Sequence, residues 1–172
     1  MKLFIAGIAS ALLAGLVVGY AAMSLGFFPA NADTPPSRLE TWIAHHALRA
    51  TIDRLAHKTA NPLALNDENL LGGIKIYAMR CAVCHGAADG KSAADARGLY
   101  QKPPELAKHG VEDDPEWMTH WKIRHGIRLT GMPSFGKVLT EKDIWQVTLF
   151  LKRMDALTPK AEKAWKAVPS QA

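Results

Sequence analysis

Cysteine is almost missing from this chain: there are two in 172 residues, Cys81 and Cys84. That number excludes a disulfide-stapled scaffold, which needs several bridges. A strong charge of one sign is missing too. The net +5 is a sum of small excesses along the chain, and residues 66–157 hold 13 Lys+Arg against 12 Asp+Glu with alternating signs. Nucleic-acid binders concentrate basic residues on one face or element, so that class is excluded. No Ser/His/Asp array, phosphate loop or paired-carboxylate site is visible in the chain. The apolar share of 48% is too high for a disordered chain. The length allows about one domain plus extras, not a large multi-domain enzyme.

Charge is wholly absent between Leu3 and Ala32, where 22 of 30 positions are hydrophobic. A helix rises about 1.5 Å per residue, so roughly 20 residues cross a bilayer core and this run suffices. A secretory signal has a shorter apolar stretch and a small-residue cleavage site. Ala30-Asn31-Ala32 resembles such a site, while the length of the run and its membrane-tolerated glycines favour a retained anchor. Either way the remainder is delivered outside the cytoplasm. Residues 1–32 are therefore expected to be a signal-anchor or transmembrane segment.

Thr34-Pro35-Pro36 interrupts any continuing helix. Ser37-Arg38-Leu39-Glu40 then reads as a capping box. Leu39, Ile43, Leu48, Ile52 and Leu55 recur at near-helical spacing, so residues 33–65 read as a linker and an amphipathic helix ending before Asn61-Pro62. That helix is either packed on its own domain or a stalk or docking surface. His45, His46 and His57 do not share the i, i+4 spacing that would let two of them converge on a metal, and they read as solvated.

Cys81-Ala82-Val83-Cys84-His85 is the strongest signal in the chain. C-x-x-C-H is the attachment signature of a c-type haem. Two thiols three residues apart on one turn can both reach the vinyl edge of a porphyrin, and the adjacent histidine falls beneath the iron. A structural zinc site would need a second pair of ligands, and none follows. A thioredoxin-like pair would need a preceding strand, whereas residues 70–80 read as helix.

The chain from about Asn66 to Leu157 resembles a class I monohaem cytochrome c, and its N-terminal region is similar to membrane-anchored bacterial members. The resemblance places Gly73 and Tyr77 on the first helix and implies that the final helix crosses the first at Gly73. Thr140 caps that final helix, and Ile144, Val147, Leu151 and Met154 form its apolar stripe. By the same likeness Val147 and Phe150 face Gly73 and Tyr77. The implied class is all-α: a small haem domain at 66–157, followed by a C-terminal tail at 158–172.

An electron carrier fills both axial positions of its iron, so a second ligand is expected downstream of His85. Gly131-Met132-Pro133 sets Met132 in a proline-braced loop, the setting the family uses for its distal ligand. His109, His120 and His125 are alternative ligands, and Met79, Met118 and Met154 are weaker ones. A Met/His pair raises the potential relative to two histidines. The resemblance also implies that a proline carbonyl, from Pro103 or Pro104, accepts the N–H of the proximal histidine. Trp121, Lys122, Arg124 and Arg128 precede the Met132 loop as candidates for binding the haem propionates, Trp121 foremost. The acidic run Glu112–Glu116 reads as a solvated loop near a helix start.

The expected protein is a membrane-anchored monohaem cytochrome c with one covalent haem c, facing the periplasm from the bacterial inner membrane. It would pass single electrons between membrane or periplasmic redox proteins and catalyse nothing itself. The alternatives are a permanent cytochrome subunit of a larger membrane redox complex, and a haem sensor or peroxidase.

Overall fold

A computed structural model describes residues 1–170. They form eight α-helices and one 3-10 turn, with no strand among the described residues. The all-α class expected from the sequence is the class observed. The chain divides into two compact units, Met1–Thr34 and the remainder from Pro35.

The first unit is helix α1, Lys2–Ser24. Its 23 residues carry no charge after Lys2 and bury nothing within the chain. Gly26 ends it at φ +76°, a left-handed turn that lets Phe27 N–H reach back to Ala22 O at 3.0 Å.

The second unit opens with α2, Arg38–Leu55. Only half of the expected capping box forms. Ser37 Oγ accepts from Glu40 N at 3.1 Å, but the Glu40 carboxylate accepts from the Tyr100 hydroxyl instead of returning to the cap. The helix stops at Leu55, and the chain from Ala56 to Leu65 is irregular. Asn61 anchors that stretch by donating to Trp145 O and to Glu116 Oε1, each at 3.2 Å.

Helix α3, Asp67–Arg80, begins where Asn66 Oδ1 accepts from Asn69 N, with Asp67 and Glu68 favourably placed in its first turn. It leads into the single turn α4, Ala82–His85, and the short α5, Ala94–Arg97. Helix α6, Glu116–His125, precedes the 3-10 turn Phe135–Lys137. Helix α7, Glu141–Lys152, starts with a complete capping box between Thr140 and Asp143.

Helix α7 is buried all round from Ile144 to Leu151, because α3, α6 and the 3-10 turn pack against it and Trp165, on a later helix that packs on α3, meets Phe150. Its crossing with α3 is set by Gly73, where an added Cβ would lie 2.2 Å from Gln146 O and 2.8 Å from Phe150 Cβ. Only a missing side chain permits that approach. Phe150 faces both Gly73 and Tyr77, as expected, with its ring edge-on to Tyr77 at 5.4 Å. Val147 is fully buried, yet the backbone meeting Gly73 belongs to Gln146. Met154, assigned to the helix stripe from spacing alone, lies beyond the helix end and is half-buried.

The segment after Leu157 differs most from the sequence reading. It is not a tail. Thr158 caps α8, Pro159–Lys166, and its hydroxyl donates to Asp67 Oδ1 at 2.5 Å, joining the starts of α8 and α3. Ala161 and Trp165 are buried in the same core as Tyr77, Val147 and Phe150. Eight residues are too few to show an apolar stripe, and one tryptophan supplies most of the buried surface.

Candidate metal centre

Cys81 ends α3 and also caps α4. Its N–H donates to Tyr77 O at 2.8 Å, and its own carbonyl accepts from Cys84 N at 3.0 Å and His85 N at 2.9 Å. The two thiols therefore sit one helical turn apart, both free and both half-buried. Burial, with a smaller contribution from Cys84, pushes the Cys81 thiol up to about 12. A thiol held protonated at neutral pH is a poor partner in thiol exchange. Among the described residues, no three His, Cys, Asp or Glu side chains converge to hold a metal ion.

His85 is held from two sides. Its Nδ1–H donates to Pro104 O at 2.9 Å, and its carbonyl accepts from Leu106 N at 3.1 Å. Pro104, and not Pro103, thus supplies the carbonyl. Burial lowers the imidazole pKa and the bond to Pro104 partly offsets this. The ring is neutral at physiological pH with Nδ1 committed as donor, so Nε2 is the nitrogen with a lone pair to offer. Gly86, at φ +83°, turns the chain directly after His85, and its carbonyl accepts from the buried Tyr77 hydroxyl at 2.8 Å. Burial raises the Tyr77 pKa, so that hydroxyl stays a donor. Sequence reasoning missed Gly86, because its role depends on the turn it makes after His85.

Met132 lies in the loop between α6 and the 3-10 turn, half-buried against the core cluster that Cys81 also packs upon. The loop is tied at several points. Met132 N donates to Thr130 Oγ1 at 3.1 Å, Met132 O accepts from Ile127 N at 3.1 Å, and Thr130 Oγ1 donates to Ile127 O at 2.7 Å. Gly126, at φ +68°, lets α6 end against Met132-Pro133, where a Cβ would approach Pro133 C to 2.6 Å. Ser134 Oγ then donates to Arg124 O at 2.8 Å. Methionine is held by this bonding in a defined place although no helix carries it.

The propionate candidates separate. Lys122 pairs with Asp114 at 2.9 Å and Arg124 pairs with Glu141, so both cations already have carboxylate partners. Trp121 is half-buried with its ring tilted against His125, centroids 4.8 Å apart. Arg128 is exposed. Among the alternative axial histidines, His120 is engaged elsewhere: it stacks on Trp145 at 3.9 Å and its ring bonds Glu141 at 2.8 Å. His109 and His125 are exposed.

The donor set suits a c-type haem. Two thiols one turn apart fit addition to vinyl groups, a neutral imidazole presents Nε2, and a thioether stands in a bonded loop. When bound, haem c supplies an iron that takes up and releases one electron.

Residues 68–151 match the family model described as cytochrome c oxidase, cbb3-type, subunit III. The matched segment runs from the first turn of α3 to the end of α7 and leaves α1, α2 and α8 outside. No curated protein and no solved structure matches the chain.

Proposed function

Residues 68–151 form a class I c-type cytochrome domain that binds haem c, and from that premise we propose a membrane-anchored, periplasm-facing carrier of single electrons. One haem attaches covalently through Cys81 and Cys84, with His85 and Met132 as axial ligands. The single observation that carries this reading is the His85 imidazole, oriented by Pro104 at 2.9 Å and left with Nε2 to donate. That bond fixes the ring plane and raises the donor strength of the metal-facing nitrogen.

The remaining residues keep the site in place. Tyr77 holds Gly86 and hence the turn after His85. Thr130 and Ile127 hold Met132. In this reading Trp121 is the donor to a haem propionate, and Pro104 rather than Pro103 orients His85. Helix α1 anchors the chain in the inner membrane, which concentrates the domain near membrane-bound redox partners. No substrate binds at the metal, so the protein contributes a potential and a fixed coordination geometry and is not itself an enzyme.

A permanent place in a larger membrane redox complex is the second reading. The family name over residues 68–151 is that of an oxidase subunit, and that observation alone favours it. The test of the first reading is extraction of the purified, denatured protein with acidified organic solvent. The colour stays with the polypeptide if the attachment is through Cys81 and Cys84, and leaves with the solvent if it is not. Native gels after mild detergent extraction separate the two readings: a chain that always migrates alone is a carrier, and one that migrates with partners is a subunit.

A further inference from the structure

Helix α2 has two faces of different fate. At 100° per residue, Thr41, Leu48 and Ile52 share one side, and these are its more covered positions, Ile52 being almost completely buried. Leu39, Trp42, Ile43 and His46 share the opposite side. Leu39 is 66% exposed, Trp42 60% and Ile43 51%, and the Trp42 ring stacks on His46 at 4.8 Å. Arg38 and Arg49 border this outward sector on one side and Arg54 on the other. The apolar residues stand in the N-terminal half of the helix, and the C-terminal half of the same sector carries Ala50 and Asp53.

We propose that this outward face of α2 lies on the lipid surface, with Leu39, Trp42 and Ile43 at the headgroup–acyl boundary and the bordering arginines among the phosphates. The inference rests on reading α1 as a retained membrane span. From the end of α1 to the start of α2 there are only residues 25–37, a connection that reaches at most about 45 Å when fully extended. Phe27 and Phe28 stand near its start, two exposed apolar rings next to the end of α1. A tether that short keeps α2 at high effective concentration over the membrane, so a small apolar patch suffices. A protein partner would need far more: stable interfaces bury about 800 Å² on each side, contributed by some 20–30 residues. Tryptophan with leucine and isoleucine, flanked by arginine, is the composition of an interfacial helix.

The consequence is orientation. Glu40, one residue from Leu39, accepts from the Tyr100 hydroxyl, and the inward face carries Ile52 into the folded domain. Seating α2 on lipid therefore limits which side of the haem domain faces the membrane and which faces a soluble partner.

The full-length haem-loaded protein, reconstituted in phosphatidylethanolamine–phosphatidylglycerol vesicles containing a phospholipid with a photoreactive acyl chain, provides the test. After irradiation, peptides from α1 and from residues 38–46 are both expected to carry lipid. The double variant Trp42→Glu, Ile43→Glu should lose the label on α2 and keep both the label on α1 and the visible spectrum. Label on α1 with none on residues 38–46 overturns the proposal, as does undiminished α2 labelling in the double variant. A cross-linked dimer joined through α2 in place of lipid adducts also overturns it. If α1 itself carries no lipid, the membrane reading beneath the proposal has failed, and the proposal with it.

Discussion

Trp165 stands edge-on to Tyr77, ring centroids 5.3 Å apart and planes 84° apart, and edge-on to Phe150 at 5.2 Å. One residue of the last helix thus closes an aromatic cluster formed with one residue of the first haem-domain helix and one of α7. Tyr77 in turn donates to Gly86 O beside His85, so the cluster stands directly behind the haem-binding turn. Replacing Trp165 with Ala removes a buried indole, and losses of about 3–5 kcal/mol are usual for such truncations. Truncating the chain after Leu157 should destabilise it at least as much. Denaturant unfolding checks both, and a truncated chain as stable as the full one would show α8 to be dispensable.

Gly72 and Gly73 are adjacent and face different obstacles. A Cβ at Gly73 meets the Gln146 backbone at 2.2 Å, whereas a Cβ at Gly72 meets only the Gln146 amide at 2.6 Å. Backbone cannot yield without separating α3 from α7; an amide side chain can swing aside. Gly73→Ala is expected to cost about 3 kcal/mol, the top of the usual overpacking range, or more. Gly72→Ala should fall within about 1 kcal/mol of neutral, because alanine's better helix propensity offsets the lost Gln146–Asn69 bond. Equal effects in thermal unfolding would mean that the helices do not cross here.

Met132→Ala tests the ligand assignment. The variant should keep its covalent haem, show a lower midpoint potential, and bind carbon monoxide rapidly when reduced, since the thioether that favours ferrous iron is gone. The far-red band of ferric iron–thioether ligation should vanish with it. An unchanged spectrum would transfer the distal position to another side chain.

His120 supplies a pH dependence. Burial against Trp145 lowers its pKa, and the Glu141 carboxylate opposes that shift without cancelling it. The folded state therefore binds this proton less readily than the unfolded chain, whose histidine titrates near 6.5. Its contribution is complete above about pH 6.5 and falls as the pH drops below that value. His120→Phe keeps a ring on Trp145 and removes the titration. The stability of wild type minus that of the variant should be level from pH 8 to 6.5 and decline toward pH 5. A difference that stays level to pH 5 would show that the imidazole is not desolvated.

The local features of this chain were legible because they depend on residues close in sequence. Charge absent from 3–32 and the near-helical spacing of Leu39, Ile43, Leu48, Ile52 and Leu55 after Ser37 announce helices through the hydrogen bonding and patterning of a single segment, although the second helix stops at Leu55 and not just before Asn61. The Cys81–His85 spacing is chemistry within one turn, and Thr140 as a cap needs only its third neighbour. The capping box at Ser37 shows where this reasoning ends. Ser37 and Glu40 have the right identities, but Tyr100, sixty residues away, takes the carboxylate.

Sequence by itself determined the helices after Ser37, before Cys81 and after Thr140, the apolar span and the thiol–imidazole turn, since each is written in residues within about one helical turn or one repeating stripe. Tertiary structure alone decided that Pro104 and not Pro103 meets His85, that Gln146 is the backbone against Gly73, and that residues 158–166 belong to the core. It also decided which side of α2 stays uncovered. Those outcomes rest on contacts between segments tens of residues apart, where excluded volume and the competition for each donor and acceptor select one partner among several that local pattern leaves equivalent.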